Sequence, residues 1–198
     1  MISEGLLLDF GARKVDYSKG DQLFAEGEAA QNYYQVVSGE VKMNNYNQDG
    51  KEFIQGMFSA GQSFGEPPLF ASVKYPANAE ALTDAVVIQL HKEPFFELLA
   101  EHPDIHLKIT QTLASRLFYK AVMASEIASQ EPEHRILRII DYFKKYVYKV
   151  PGDFTFKVDL TRQQIADLTG LRVETVIRAM KSLEKKGQIK IKNRKVFR

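Results

Sequence analysis

The chain has 198 residues, 44% apolar and 26% charged, with no cysteine. That is an ordinary globular composition, and it excludes disulfides, thiolate-held iron–sulfur clusters and cysteine-based zinc sites. The net charge of +2 hides an asymmetry: 10 basic against 17 acidic residues up to Gln130, then 17 against 8 from Glu131. A basic end on an acidic body points to a polyanion contact confined to one part of the chain. No run reaches the roughly 18 apolar residues of a membrane span, so no membrane contact is expected. The start, "MISEGLLLDF", has no basic flank before its apolar run, so no secretory signal is expected; the lack of cysteine fits a reducing cytoplasm.

From about Val15 to Leu90 the chain reads as short strands between glycine-bearing turns. The runs "NYYQVVSG", "EVKMNNY", "KEFIQGMF" and "AVVIQL" have strand character, and "NQDGKE" reads as a hairpin turn at Asp49-Gly50. Many short strands with regular turns predict a jelly-roll β-barrel. Tyr33, Tyr34, Phe53, Phe58, Phe64, Phe70 and Tyr75 either line a pocket inside it or fill it.

Near Pro94 the period changes, and Pro103 suits the first position of a helix. Ile105, Ile109, Leu113 and Leu117 repeat every four residues, and Ala121, Ala124 and Ala128 continue the stripe. A helix from Pro103 to about Ser129 would be on the order of 40 Å long, more than a small barrel covers. Its stripe is expected to pack against a second copy of the chain, with Ile105, Ile109, Leu113, Leu117, Ala121 and Ala124 as the dimer interface; the alternative is a helix folded over its own barrel.

"SQEPEHR" reads as a hinge near Gln130, with Pro132 starting a new helix to about Tyr146. "FTFKVD" alternates like a strand. Thr161 and Gln164 fit a capping box, and the helix they start stops at Thr169-Gly170. A second helix follows, "LRVETVIRAMK", and "QIKIKNRKVFR" closes as two short strands around Asn193-Arg194. This is a winged helix-turn-helix plan. In the second helix Val176, Ala179, Met180 and Leu183 face a core, while Glu174, Arg178 and Lys181 face away. In such a unit the second helix enters the major groove of double-stranded DNA. There Arg178 suits both acceptors of a guanine and Glu174 the cytosine amino group. Lys181, Lys185, Lys195 and the segment at Thr161, Arg162 and Gln163 suit phosphates. The plain alternative is an i,i+4 ion pair on a solvated helix.

These residues together resemble the Crp/Fnr transcription regulators over nearly the whole chain. "KGDQLFAEGE" and "YYQVVSGEVKM" look like the family's barrel strands, "SFGEPPLF" like the start of its phosphate-binding cassette, and "HPDIHLKITQTLASRL" like its dimer helix. "LTRQQIADLTGLRVETVIRAMKSLEKKGQI" looks like its helix-turn-helix. The family's E-T-x-x-R core, which reads a G·C pair in each half-site, is matched by Glu174, Thr175 and Arg178. Arg172 stands where members often have a capping Ser or Thr, and it brings a cation towards phosphate instead. Val173 and Ile177 depart from both main branches, so the resemblance leaves the outer bases of the half-site open.

The sensor departs as well. Cyclic-nucleotide binders follow Gly-Glu, about ten residues on, with Arg-Ser or Arg-Thr; counting from Gly65-Glu66, this chain has Pro76-Ala77. An effector pocket would draw on Gly65, Glu66, Lys74, Tyr75 and Lys120, without the arginine that neutralises a cyclic phosphate. No cyclic-AMP cofactor is therefore expected. His102 and His106 are spaced as metal ligands could be, but His102 precedes Pro103, and no metal is expected. A metal oxygenase of the jelly-roll type needs clustered histidines, and the barrel stretch to Leu90 has none, so no enzyme is expected.

The sequence thus predicts an α+β chain: a barrel sensor domain over 1–98, a dimerisation helix and hinge over 99–130, and a winged helix-turn-helix over 131–198. The expected function is a cytoplasmic homodimeric transcription regulator on an inverted repeat, gated by an effector in the barrel, with RNA polymerase as a further partner. The alternative is a constitutive DNA binder whose barrel is a structural or docking module.

Overall fold

A computed structural model describes residues 2–129, 131–193 and 195–198, with the backbone alone at 122, 123 and 125–129. The hinge expected near Gln130, the side chain of Ala128 and residue Arg194 of the closing turn lie outside what is described. The chain groups into two compact units, Met1–Ala114 and Ser115–Arg198.

The first unit holds a short helix α1 (Glu4–Asp9), strands β1 (Arg13–Tyr17), β2 (Gln22–Phe24), β3 (Asn32–Ser38), β4 (Glu40–Tyr46), β5 (Glu52–Ser59) and β6 (Ser63–Phe64), and helix α2 (Glu66–Ala71). Strands β7 (Asn78–Ala81) and β8 (Ala85–His91) follow, then helix α3 (Lys92–Glu101) and the start of helix α4 (Pro103–Ser129). The strands form two antiparallel four-stranded sheets, β1-β8-β3-β6 and β2-β7-β4-β5. Gly39, between β3 and β4, is obligatory. It has φ 79°, and a Cβ there would lie 2.3 Å from the Asp84 carbonyl oxygen. The β4–β5 connection is a five-residue loop rather than a two-residue turn. Only Gly50 takes a positive φ, and the Asn47 side chain accepts from the amides of Asp49 and Lys51.

Alternation along the strands divides the core into two layers. Inside the barrel Tyr34 stacks on Phe64 with centroids 5.4 Å apart, and Phe24 stacks on Tyr75 at 3.7 Å. On the opposite face of β3, Tyr33 stacks at 4.5 Å on Phe95 of α3, beside Ile88 and Leu90 of β8.

The stripe on α4 divides too: of the expected dimer interface, Ile109 is taken up by the chain's own core. Ile109 is 2% exposed within the barrel unit's own core, and Ile105 and Leu113 pack partly buried against that core. Ile109 follows the alternative of a helix folded over its own barrel, and Ile105 and Leu113 lean on that core while keeping part of their surface exposed. Of the expected interface Leu117 (70% exposed), Ala121 and Ala124 remain open. With Leu107, Thr110 and Ala114, all exposed, they recur at steps of three and four, the spacing of a heptad seam. A four-residue repeat drifts around an α-helix, whereas alternating steps of three and four stay on one line.

The second unit continues α4 and adds α5 (Pro132–Tyr142), which ends in a π-turn over Phe143–Val147. Strand β9 (Lys157–Val158), helices α6 (Arg162–Thr169) and α7 (Val173–Lys185), and the hairpin β10 (Lys190–Lys192) and β11 (Lys195–Phe197) follow. The sheet order is β10-β11-β9, antiparallel throughout. Ile136, Ile139, Ile140 and Phe143 from α5, Ile165 and Leu168 from α6, Val176, Met180 and Leu183 from α7, and Val158 and Val196 from the sheet are buried. Arg198 ties the last strand to α5 through a two-armed pair with Asp141, at 2.7 and 3.0 Å.

Candidate nucleic-acid interface

Local sequence fixes the turn between α6 and α7. The Thr161 hydroxyl accepts from the Gln164 amide at 3.0 Å, and the Gln164 side chain accepts from the Thr161 amide at 2.8 Å, a complete capping box. At the other end Gly170 takes φ 69°, and its amide donates to the Ala166 carbonyl. Leu171 then donates to the same carbonyl at 3.0 Å, which closes the helix end. Three residues after α6 ends, α7 begins. Its cap position is Arg172, whose side chain makes no capping bond, so the cation is left at the helix start.

Helix α7 has two faces. Val176, Ala179, Met180 and Leu183 are buried; Glu174, Ile177, Arg178, Lys181 and Lys185 are exposed, and Thr175 is half-buried. Among the described residues neither Glu174 nor Arg178 has an ion-pair or hydrogen-bond partner, so the i,i+4 pair that would explain them as a solvated helix face is not formed. Gln163 donates to the buried Asp167 at 2.8 Å, which holds its amide along α6. Arg162 is half-buried, and desolvation lowers its pKa without discharging a guanidinium. Lys195 is exposed on the wing strand β11. The unit therefore exposes a capped helix start on α6, a polar face on α7 and a basic residue on the wing strand.

The expected pocket residues are brought together only in part. Gly65 caps α2 in the left-handed region, and a Cβ on it would lie 3.4 Å from both Phe24 and Tyr75. Glu66 is buried and accepts a hydrogen bond from the Ser63 hydroxyl. Desolvation, then Tyr34, raises the Tyr75 pKa, so the phenol is neutral. Lys74 is exposed, and Lys120 belongs to the second unit. Pro76 is exposed and Ala77 buried. The buried side chains of this segment are Phe64, Glu66, Pro68, Leu69, Tyr75 and Ala77, with no cation among them. His102 ends α3 edge-on to Phe10, and His106 stacks on Phe70. Among the described residues no three His, Asp or Glu gather as metal ligands, and no helix is long and apolar enough to cross a membrane.

Residues 14–102 match the cyclic nucleotide-binding domain family, and residues 134–198 match the Crp-like helix-turn-helix domain. The chain belongs to the Crp/Fnr family of transcription regulators. It is 26% identical over 184 residues to the CRP-like cAMP-activated global transcriptional regulator of Mycobacterium tuberculosis, covering 92% of this chain and 82% of that one. It is 28% identical over 174 residues to the cAMP-activated global transcriptional regulator CRP of Haemophilus influenzae, covering 87% and 78%. Its fold matches that of the c-di-GMP responsive regulator CLP of Xanthomonas campestris with a TM-score of 0.76 at 24% identity, covering 98% of both chains. Within this Crp/Fnr member, a DNA-binding transcription regulator, α7 is the second helix of the helix-turn-helix domain. Sequence reasoning missed one feature of that helix, the exposed apolar Ile177, because periodicity alone does not say how wide the buried arc is.

Proposed function

We propose that this regulator acts in the cytoplasm as a homodimer on an inverted-repeat site in double-stranded DNA. Two copies of α7 lie in successive major grooves about 34 Å apart. Glu174, Thr175 and Arg178 face base edges, with Arg178 on a guanine. Thr161, Arg162, Gln163, Arg172, Lys181, Lys185 and Lys195 face phosphates and set the register. The two copies join through the open α4 seam of Leu107, Thr110, Ala114, Leu117, Ala121 and Ala124. RNA polymerase is the protein partner through which bound sites alter transcription. The observation that carries the reading is the α7 face itself: a carboxylate and a guanidinium held one turn apart, exposed and unpartnered among the described residues, opposite a buried face. Selection of bound duplexes from a random pool tests it, with and without host extract. A palindromic consensus with a G·C step is expected; unselected recovery overturns it.

In this reading the barrel takes an effector other than a cyclic nucleotide, which shifts a balance between binding-competent and incompetent orientations of the DNA-binding domains. A second reading, constitutive binding with the barrel as a structural module, is favoured by one observation. Inside the barrel Phe24 stacks on Tyr75 and Tyr34 on Phe64, and Phe24 lies tilted against Tyr34, so the four rings form one cluster. Native mass spectrometry of protein from its own host separates the two: a retained small molecule supports gating, and an empty barrel supports the structural role.

A further inference from the structure

The exposed face of α7 carries one large apolar side chain. Ile177 is 40% exposed, on the same face as Glu174 three residues before it and Lys181 four residues after it. The buried face of the helix is made by Val176, Ala179, Met180 and Leu183, and Ile177 lies outside it. At a solvated helix position a β-branched residue also disfavours the helix relative to Ala, Lys or Glu. Single exposed apolar residues are common on protein surfaces and need no function. This one stands among side chains that are otherwise charged or polar and directed away from the core, in the first two turns of the helix.

We propose that Ile177 is a specificity-determining residue that selects a thymine in each half-site through its 5-methyl group. The claim rests on α7 being the base-reading helix. In the major groove each base pair shows hydrogen-bonding groups except for one apolar mark, the thymine C5-methyl. A stiff, branched alkyl side chain has nothing to offer an amino group, a ring nitrogen or a carbonyl. Against a methyl it loses water from both surfaces. Arg178 and Glu174 read a pair through charge, and Ile177, about 60° from Glu174 around the helix on the side away from Arg178, reads a neighbouring step through burial. A cytosine there would place an unmatched amino donor against the alkyl chain.

The test begins with the consensus selected by the full-length protein. Each thymine of that duplex is replaced in turn by deoxyuridine, which removes the methyl and leaves every hydrogen-bonding group. One thymine per half-site is expected to matter, about fourfold in Kd for one half-site and on the order of fifteenfold for both. The Ile177→Ala protein is expected to bind the thymine duplex more weakly by a similar factor and to ignore the uridine replacement. A consensus with a uridine scan flat within twofold for the wild-type protein overturns the proposal while leaving the recognition helix in place. So does a uridine penalty that persists unchanged in Ile177→Ala. Failure to select any consensus overturns both the proposal and the reading beneath it. The wild-type scan uses no variant, so it stands even where Ile177→Ala folds poorly.

Discussion

Arg178 and Thr161 lie on the same winged unit and do different physical work. Arg178 has no structural partner among the described residues, so Arg178→Ala should leave thermal unfolding unchanged. It should weaken binding to the selected site by roughly 1–3 kcal/mol per half-site and relax the guanine preference, as a repeat of the selection would report. Thr161 holds a helix end through its hydroxyl. Thr161→Ala should lower unfolding stability by about 1 kcal/mol, and calorimetry checks it. Glu133 gives an acid-side test. Its hydrogen bond from Lys186 at 2.6 Å, then one from Ser182, lower its carboxyl below the ordinary range. Because the unfolded chain takes up that proton more readily, the pair supports the fold above the ordinary carboxylate pKa of about 4.3 and is lost as pH falls through the lowered folded value. Glu133→Gln should flatten that part of the melting temperature's dependence on pH and change little at the acid end.

At the scale of elements, helix α4 is where pattern and structure part. Ile105, Ile109 and Leu113 look like the beginning of a seam that Leu117 continues, yet the first three pack on the barrel unit's own core and Leu117 does not. Ile109→Ala should therefore cost about 2–5 kcal/mol of stability in the first unit. Leu117→Glu should leave that unit's melting unchanged and instead shift sedimentation towards the monomer, since a carboxylate on the seam meets its own copy. Opposite outcomes would return the seam to the four-residue stripe. The strands were legible because their alternation is local: β3, β4, β5 and β8 fall on the runs "NYYQVVSG", "EVKMNNY", "KEFIQGMF" and "AVVIQL". Helices α1 and α2, six residues each, were not, because so short a stretch completes fewer than two turns and shows no period. The α6–α7 pair was legible, with the ends of α6 placed to the residue, because its cap, its left-handed glycine and its amphipathic face are all local signals.

Across the whole molecule, charge separates the two ends: acidic up to Gln130, basic beyond. Binding to any duplex should then fall steeply with salt, about 10³–10⁵-fold between 50 and 200 mM if six to ten phosphates are engaged. Fluorescence anisotropy over that range checks it; a flat dependence would mean that the basic residues of the second unit do not meet the backbone. The affinity for a scrambled duplex should show a comparable slope, because phosphate contacts carry no sequence information.

The sequence by itself determined the class of each half, the helix-turn-helix and the charged face of α7. Those features are written in spacing and residue type. The tertiary structure decided what α4 leaves open, how aromatic rings stack inside the barrel, and that Ile177 stands outside the core. Each is a matter of which surfaces meet across distant parts of the chain, and an apolar residue carries the same sequence signal whether its neighbour is a barrel, another copy of itself or a base in a groove.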